Sequence, residues 1–249
     1  MNNHKFLALT AALVLFVSAE RATAQSTIFN VPTTDTVAKG KVYFEFDYLP
    51  QIPKPDASDR LHIINPRIVI GVPGNVEAGA NFATYHIAGT TNVFFEPNIK
   101  WKFMHDDTQG LAAAVGGILF TAINNRSDVD TFGSGVNTFG LVYGNFSKKV
   151  KTGNYGPRFT AGPYGIVSGG SGWIGPKAGA ILGYEQPIHT KASIVADWFS
   201  GKNAFGYFTP GVSITLPANG VFNVGYSFGN NSFSGNDNRF LYVYYGVTF

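Results

Sequence analysis

The chain has 249 residues, enough for one large domain or two small ones, and no cysteine, so no disulfide supports its fold. Only 13% of its residues are charged against 45% hydrophobic, with 15% aromatics and 30 glycines; a soluble domain carries about 25% charged residues. The net charge of +3 gives no case for nucleic acid or for a strongly acidic partner.

The first 24 residues read as a secretory signal: Lys5, then the apolar run FLALTAALVLFVSA (6–19), then Ala22-Thr23-Ala24 as an A-x-A cleavage site. The run is too short to cross a bilayer, which takes roughly 20 residues. The leader holds Lys5, Arg21 and Glu20, so the 18 basic and 15 acidic residues of the whole chain become 16 and 14 after cleavage, a charge of +2. Residues 25–40 follow as a periplasmic N-terminal segment, and 41–249 as one β-barrel. No later stretch is apolar enough for a membrane helix, so the membrane-compatible fold left is a closed antiparallel transmembrane β-barrel, in which every backbone group is paired between strands.

Twelve segments of about ten residues with period-two alternation support that fold class. They lie near 41–51, 61–72, 75–87, 92–104, 110–123, 137–149, 155–168, 173–185, 190–199, 204–216, 220–228 and 239–249. Compact connections (Pro73-Gly74, HDDTQG, VKTGNYG, QPIHT, PANG) alternate with polar, glycine-rich ones that include the long PQIPKPDASDR (50–60), NNRSDVDTFGSGV (124–136) and GNNSFSGNDN (229–238). Outer-membrane barrels keep short turns on the periplasmic side, which predicts periplasmic termini in a Gram-negative outer membrane.

Charge placement sharpens the reading. Val42, Phe44, Phe46 and Tyr48 share one parity while Glu45 and Asp47 hold the other; Val93, Phe95, Ile99, Trp101 and Phe103 oppose Glu96, Lys100 and Lys102. Arg67, Glu77, Arg158, Lys177, Glu185 and Asp197 obey the same rule. A Lys or Arg on a lipid face at mid-bilayer costs ~2–4 kcal/mol, so these residues are candidate lumen-lining groups. Their registers predict Glu77 level with Lys100 and Lys102, Asp197 beside Lys177, and Glu45 or Asp47 near Arg67. Trp101, Phe103, Trp173, Trp198, Phe199, Phe222 and Phe249 fit interfacial girdles. Pro163, Pro176 and Pro210 fall inside segments, where a missing N–H forces an irregularity.

Two functions stay open: a passive pore for small solutes, or a closed structural or adhesive barrel whose inner ion pairs plug it and whose outer loops meet a partner. Twelve strands fall between filled eight-stranded barrels and open channels of sixteen or more. A third reading, an outer-leaflet lipid hydrolase, would use His86 with Thr84, but no G-x-S-x-G elbow supports it. His62, His105 and His189 complete the histidines of the mature chain. No metal-ligand spacing occurs, and no cofactor or enzymatic activity is expected; DVD (128–130) and NDN (236–238) read as solvated loops.

GVPGNVEAGANF (71–82), EPNIKWKF (96–103) and GLAAAVGGILF (110–120) resemble the outer-membrane transporters of the phenol meta-pathway type, in which a P-G turn, a K-[WY]-[KR] strand and a glycine-rich strand follow one another. The resemblance implies a passive conduit for small, apolar molecules. The C-terminus RFLYVYYGVTF is similar to the assembly signal of outer-membrane barrels, with Tyr245, Val247 and Phe249 at alternating positions; Gly246 stands apart from the usual glycine site. The implied partners are outer-membrane lipid, the barrel assembly machinery and small solutes.

Overall fold

The computed structural model describes residues 26–52, 60–124, 136–150, 155–168, 172–230 and 238–249. The leader, most of the loops at 50–60 and 124–136, the DVD stretch and most of 229–238 lie outside them. Among the described residues twelve strands form: β1 (Val42–Pro50), β2 (His62–Val72), β3 (Val76–Ile87), β4 (Thr90–Asp106), β5 (Leu111–Ala122), β6 (Thr138–Lys149), β7 (Arg158–Ser168), β8 (Ala178–His189), β9 (Ala192–Phe199), β10 (Tyr207–Leu216), β11 (Gly220–Gly229) and β12 (Arg239–Thr248). Each pairs antiparallel with its neighbours in sequence, and β1 pairs with β12 to close the barrel.

The strands cover the predicted segments except the eighth, expected at 173–185 and found at Ala178–His189. Pro176 has no N–H to give a ladder, and Gly175 sits at φ +87°, outside strand geometry. Trp173 and Lys177 therefore precede the strand, while the stretch expected as a turn, QPIH, continues it across an irregularity between Pro187 and His189.

Side-chain direction follows the pleat. Phe44, Phe46, Ile68, Ile70, Phe82, Ile99, Trp101, Val142 and Leu182 point outward and are exposed, as a lipid face requires. Tyr43, Glu45, Asp47, Arg67, Glu77, Glu96 and Lys100 point inward and are buried. Prolines interrupt several ladders. Pairing of β2 with β3 skips Pro66, β4 with β5 skips Pro97, β6 with β7 skips Pro163, and β10 with β11 skips Pro210. Each lies on the outward parity, so the missing donor opens one ladder without placing a ring in the lumen.

The closing seam runs from Tyr43↔Thr248 to Tyr48↔Val243. The Phe249 N–H donates to the Val42 carbonyl at 2.8 Å, which holds the chain to its last residue. Gly246 faces inward because the Tyr43 ring occupies the space its side chain would take: a Cβ there would lie 2.2 Å from the Tyr43 hydroxyl oxygen. The barrel thus has a turn end, with both ends of the strand array and the connections 73–75, 107–110, 190–191 and 217–219, and a loop end with the longer connections.

Candidate functional site

The lumen is filled by the chain's own N-terminal part. Residues 26–40, expected from the sequence as a segment outside the barrel, have Ser26, Ile28, Phe29, Val31, Thr33, Thr34 and Val37 buried and bonded to the inner wall. A tight turn shapes the strap: the Ile28 N–H donates to the Val31 carbonyl and the Thr33 N–H to the Ser26 carbonyl, both at 3.0 Å. With no alternation in STIFNVPTTDTVAKG, these residues have no reason to join the sheet. Their backbone groups need partners, and inward-facing polar side chains supply them.

Asp197 is the main anchor. Its Oδ2 accepts the N–H groups of Phe29, Asn30 and Val31 at 3.0, 2.6 and 2.8 Å. Three successive amides on one carboxylate oxygen form an anion cradle on the strap that faces the wall, and hydrogen bonds to charged groups contribute ~1.5–3 kcal/mol each. Asn223 Nδ2 donates to the Ile28 carbonyl at 3.0 Å, and the Tyr242 hydroxyl to that of Phe29 at 3.3 Å. Thr34 and Ser147 share a hydroxyl contact of 2.6 Å, and Asn145 donates to the Pro32 carbonyl. Phe29 lies in a socket of two inward glycines, Gly211 and Gly225, where any Cβ would come 2.5 Å from the Phe29 Cζ, with the Tyr242 ring 5.1 Å away.

Toward the turn end the strap meets an ion-pair cluster. Lys100 Nζ lies 3.0 Å from Glu77 Oε1, and Arg67 lies 3.8 Å from Glu77 and 3.7 Å from Glu45. Ser26 is held at its centre: its hydroxyl donates to Glu77 and accepts from Arg67 (3.0 Å) and Lys100 (2.9 Å), while its carbonyl accepts from Lys100 at 3.0 Å. Glu77 Oε2 also accepts the Val37 N–H at 2.8 Å. Arg158 forms a second latch, paired with Glu185 at 2.5 Å and with Asp35 of the strap.

The loop-end half is different in kind. Phe94, Phe120, Leu141, Phe139, Trp173 and Phe199 form an apolar cover with Phe205, and Val31 of the strap touches its underside. Phe120 stacks on Phe139 at 4.7 Å, and Trp173 meets Phe139 edge-on at 4.9 Å. Trp173 and Phe199, expected in a lipid girdle, are buried here instead; Trp101, Phe103 and Phe249 do lie exposed on the outer face at the turn end.

The expected pairings are met in part. Glu77↔Lys100 and Glu45↔Arg67 are register partners and ion pairs. Lys102 is half-buried near the turn end, and Asp47 and Glu96 are buried inside. Lys177, expected beside Asp197, is exposed ahead of β8; Asp197 instead stands opposite Gly183 and holds the strap. His86 is exposed, and its Nδ1 lies 2.8 Å from the Thr91 hydroxyl. Sequence reading missed the strap, Asn145, Ser147, Asn223 and the Phe29 socket. The signal available was the set of inward glycines, Gly183, Gly211 and Gly225, spaces in the wall that something else had to fill.

No family model matches the sequence, and no curated protein does. Among solved structures the chain is similar to an outer membrane channel from Pseudomonas putida F1, with a TM-score of 0.50 and 11% identity over 85% of this chain and 96% of that one. That likeness is one of fold: this chain, like that channel, is a closed antiparallel β-barrel, here of twelve strands with an apolar outer face.

Proposed function

We propose that the protein is an outer-membrane conduit for small solutes whose bore is closed down by its own N-terminal strap. The observation that carries this reading is how the interior is filled. An eight-stranded barrel is just wide enough for its wall side chains to fill. Here twelve strands enclose a wider space, and a tethered segment held by hydrogen bonds and ion pairs occupies it. A purely structural barrel gains nothing from width that a loose segment must then stop up, whereas a passage does. The similar barrel from Pseudomonas putida F1 is itself an outer membrane channel, which supports a passage here.

In this reading the turn end faces the periplasm, since short turns are the periplasmic feature of such barrels. Tyr245, Val247 and Phe249 present the assembly signal from the outer face of the seam, and the exposed aliphatic band contacts lipid. The closed-barrel alternative draws on the aromatic cover at the loop end. Planar-bilayer recording of the purified protein separates the two. Current steps are expected from the full chain and larger ones when the strap is loosened; silence in every salt, strap held or loosened, contradicts the conduit.

A further inference from the structure

The charges of the lumen do not balance. Among the described residues, five carboxylates (Glu45, Asp47, Glu77, Glu96 and Asp197) are buried on the inner wall against two cations, Arg67 and Lys100. Lys100 is spent on Glu77, and Asp197 on the strap amides. What remains is a tier on one side of the barrel. Glu45, Arg67, Asn81 and Glu96 stand level across β1 to β4, with Asp47 and Asn65 one pleat nearer the loop end.

Three carboxylates there share one guanidinium, and Arg67 reaches only Glu45 and Glu77. Asp47 and Glu96 are held by neutral donors alone: the Tyr242 hydroxyl (3.2 Å) and Asn65 Nδ2 (3.5 Å) on Asp47, and Asn81 Nδ2 (2.9 Å) on Glu96. Each keeps an oxygen without a partner among the described residues, Asp47 Oδ1 and Glu96 Oε1. The amide oxygens of Asn65 and of Asn92, 6% exposed higher on the same wall, are without partners too; Arg67 Nε is the one unmatched donor among the described residues of this wall. The strap is bonded at the turn end and to the wall from β6 to β12, and none of its described hydrogen bonds reaches Asp47, Asn65, Asn92 or Glu96.

We infer that the conduit is selective for small cations, and that Asp47 and Glu96, backed by the Asn65 and Asn92 oxygens, form the selecting station. The inference rests on the conduit reading and names its class of permeant. Uncompensated buried carboxylates are costly without a positive partner, and a passing cation supplies one while an anion meets repulsion.

The test is the reversal potential of single channels under a potassium chloride gradient. The wild-type protein is expected to reverse on the potassium side. The double variant Asp47→Asn, Glu96→Gln, which keeps shape and hydrogen bonding, is expected to lower the cation-to-anion permeability ratio roughly tenfold, as loss of charge at a narrow station implies. Lys102→Gln, a half-buried cation outside the tier, serves as control and leaves the reversal on the potassium side. Heat-modifiable mobility on gels confirms that each variant is folded. A wild-type reversal at zero or on the chloride side overturns the inference while leaving the conduit standing, and so does an unchanged ratio in the folded double variant. Absence of current in all forms overturns both.

Discussion

The two halves of the lumen are enclosed by the same twelve strands and filled in opposite ways. At the loop end, side chains from the wall and its connections interlock directly: Phe120, Phe139, Trp173 and Phe205 stack ring on ring. At the turn end the wall is polar, and a separate stretch of backbone, 26–40, is suspended from it by Asp197, Asn223, Asn145 and the Glu77–Lys100–Arg67 cluster. The first kind of packing is continuous with the wall and is lost only when the barrel is. The second is a docked ligand that happens to be covalently attached, and its contacts exchange for water one by one. A cover of rings is part of the barrel wall; a hydrogen-bonded strap is a separate element docked within it.

This contrast predicts different consequences for lesions in the two halves. Phe139→Ala removes the ring that bridges Phe120 and Trp173 and is expected to cost ~3–5 kcal/mol of barrel stability, as large-to-small core changes do. Urea titration in lipid vesicles should show it, with the strap's protection from protease unchanged at native conditions. Asp197→Ala is expected to do the reverse. It strips three amides of their acceptor, for a loss of ~2–4 kcal/mol concentrated in strap docking, read as protease access to residues 26–40 and more frequent channel opening by a barrel that still runs as folded on gels. If Asp197→Ala weakens the whole barrel as much as Phe139→Ala does, the halves are not distinct.

Gly225→Ala places a methyl group where the Phe29 ring lies and is expected to cost ~1–3 kcal/mol of docking through overpacking. The same readouts as for Asp197→Ala should move in the same direction by less. The smallest effect is on pH. Burial alone would raise the Asp35 carboxyl, but the Arg158 guanidinium outweighs it, with Lys102 and Lys100 adding to the pull, and holds the carboxyl below its ordinary value of 3.8. The Asp35 contribution is therefore complete above that value and lost as pH falls through the lower one. Since Glu185 keeps its own hold on Arg158, acidification below 3.8 should raise opening frequency modestly, and Asp35→Asn should open similarly at neutral pH and lose the acid response.

The sequence carried the barrel plainly because a strand writes its two faces into alternate residues. VYFEFDYL alone separates lipid from lumen, and FLYVYYGVTF states the seam partner. Lys177 and Trp173 went astray because Gly175 and Pro176 end regular structure between them: both residues precede β8, which leaves Lys177 exposed and lets the Trp173 ring pack into the loop-end cover. The strap left no such trace. Its partners lie far off in the chain, Asp197 being 168 residues from Phe29, and a segment that binds through its backbone imposes no pattern on its side chains. Its imprint is on the wall, in Gly211, Gly225 and Asn223, which reads as an irregular strand until the Phe29 ring is seen above it. The resemblance to phenol-type transporters pointed to a conduit without indicating that the chain fills its own bore.

The central claim is that the strap governs the passage, and a reversible lock tests it. The chain has no cysteine, and the Thr34 and Ser147 hydroxyls lie 2.6 Å apart. The double variant Thr34→Cys, Ser147→Cys can therefore tie strap to wall by a single disulfide. Recorded in planar bilayers, the oxidised protein is expected to show only small, infrequent current steps, and a reductant added during the same recording to restore the larger openings. Identical conductance and opening frequency before and after reduction, with the disulfide confirmed by gel, would contradict the account.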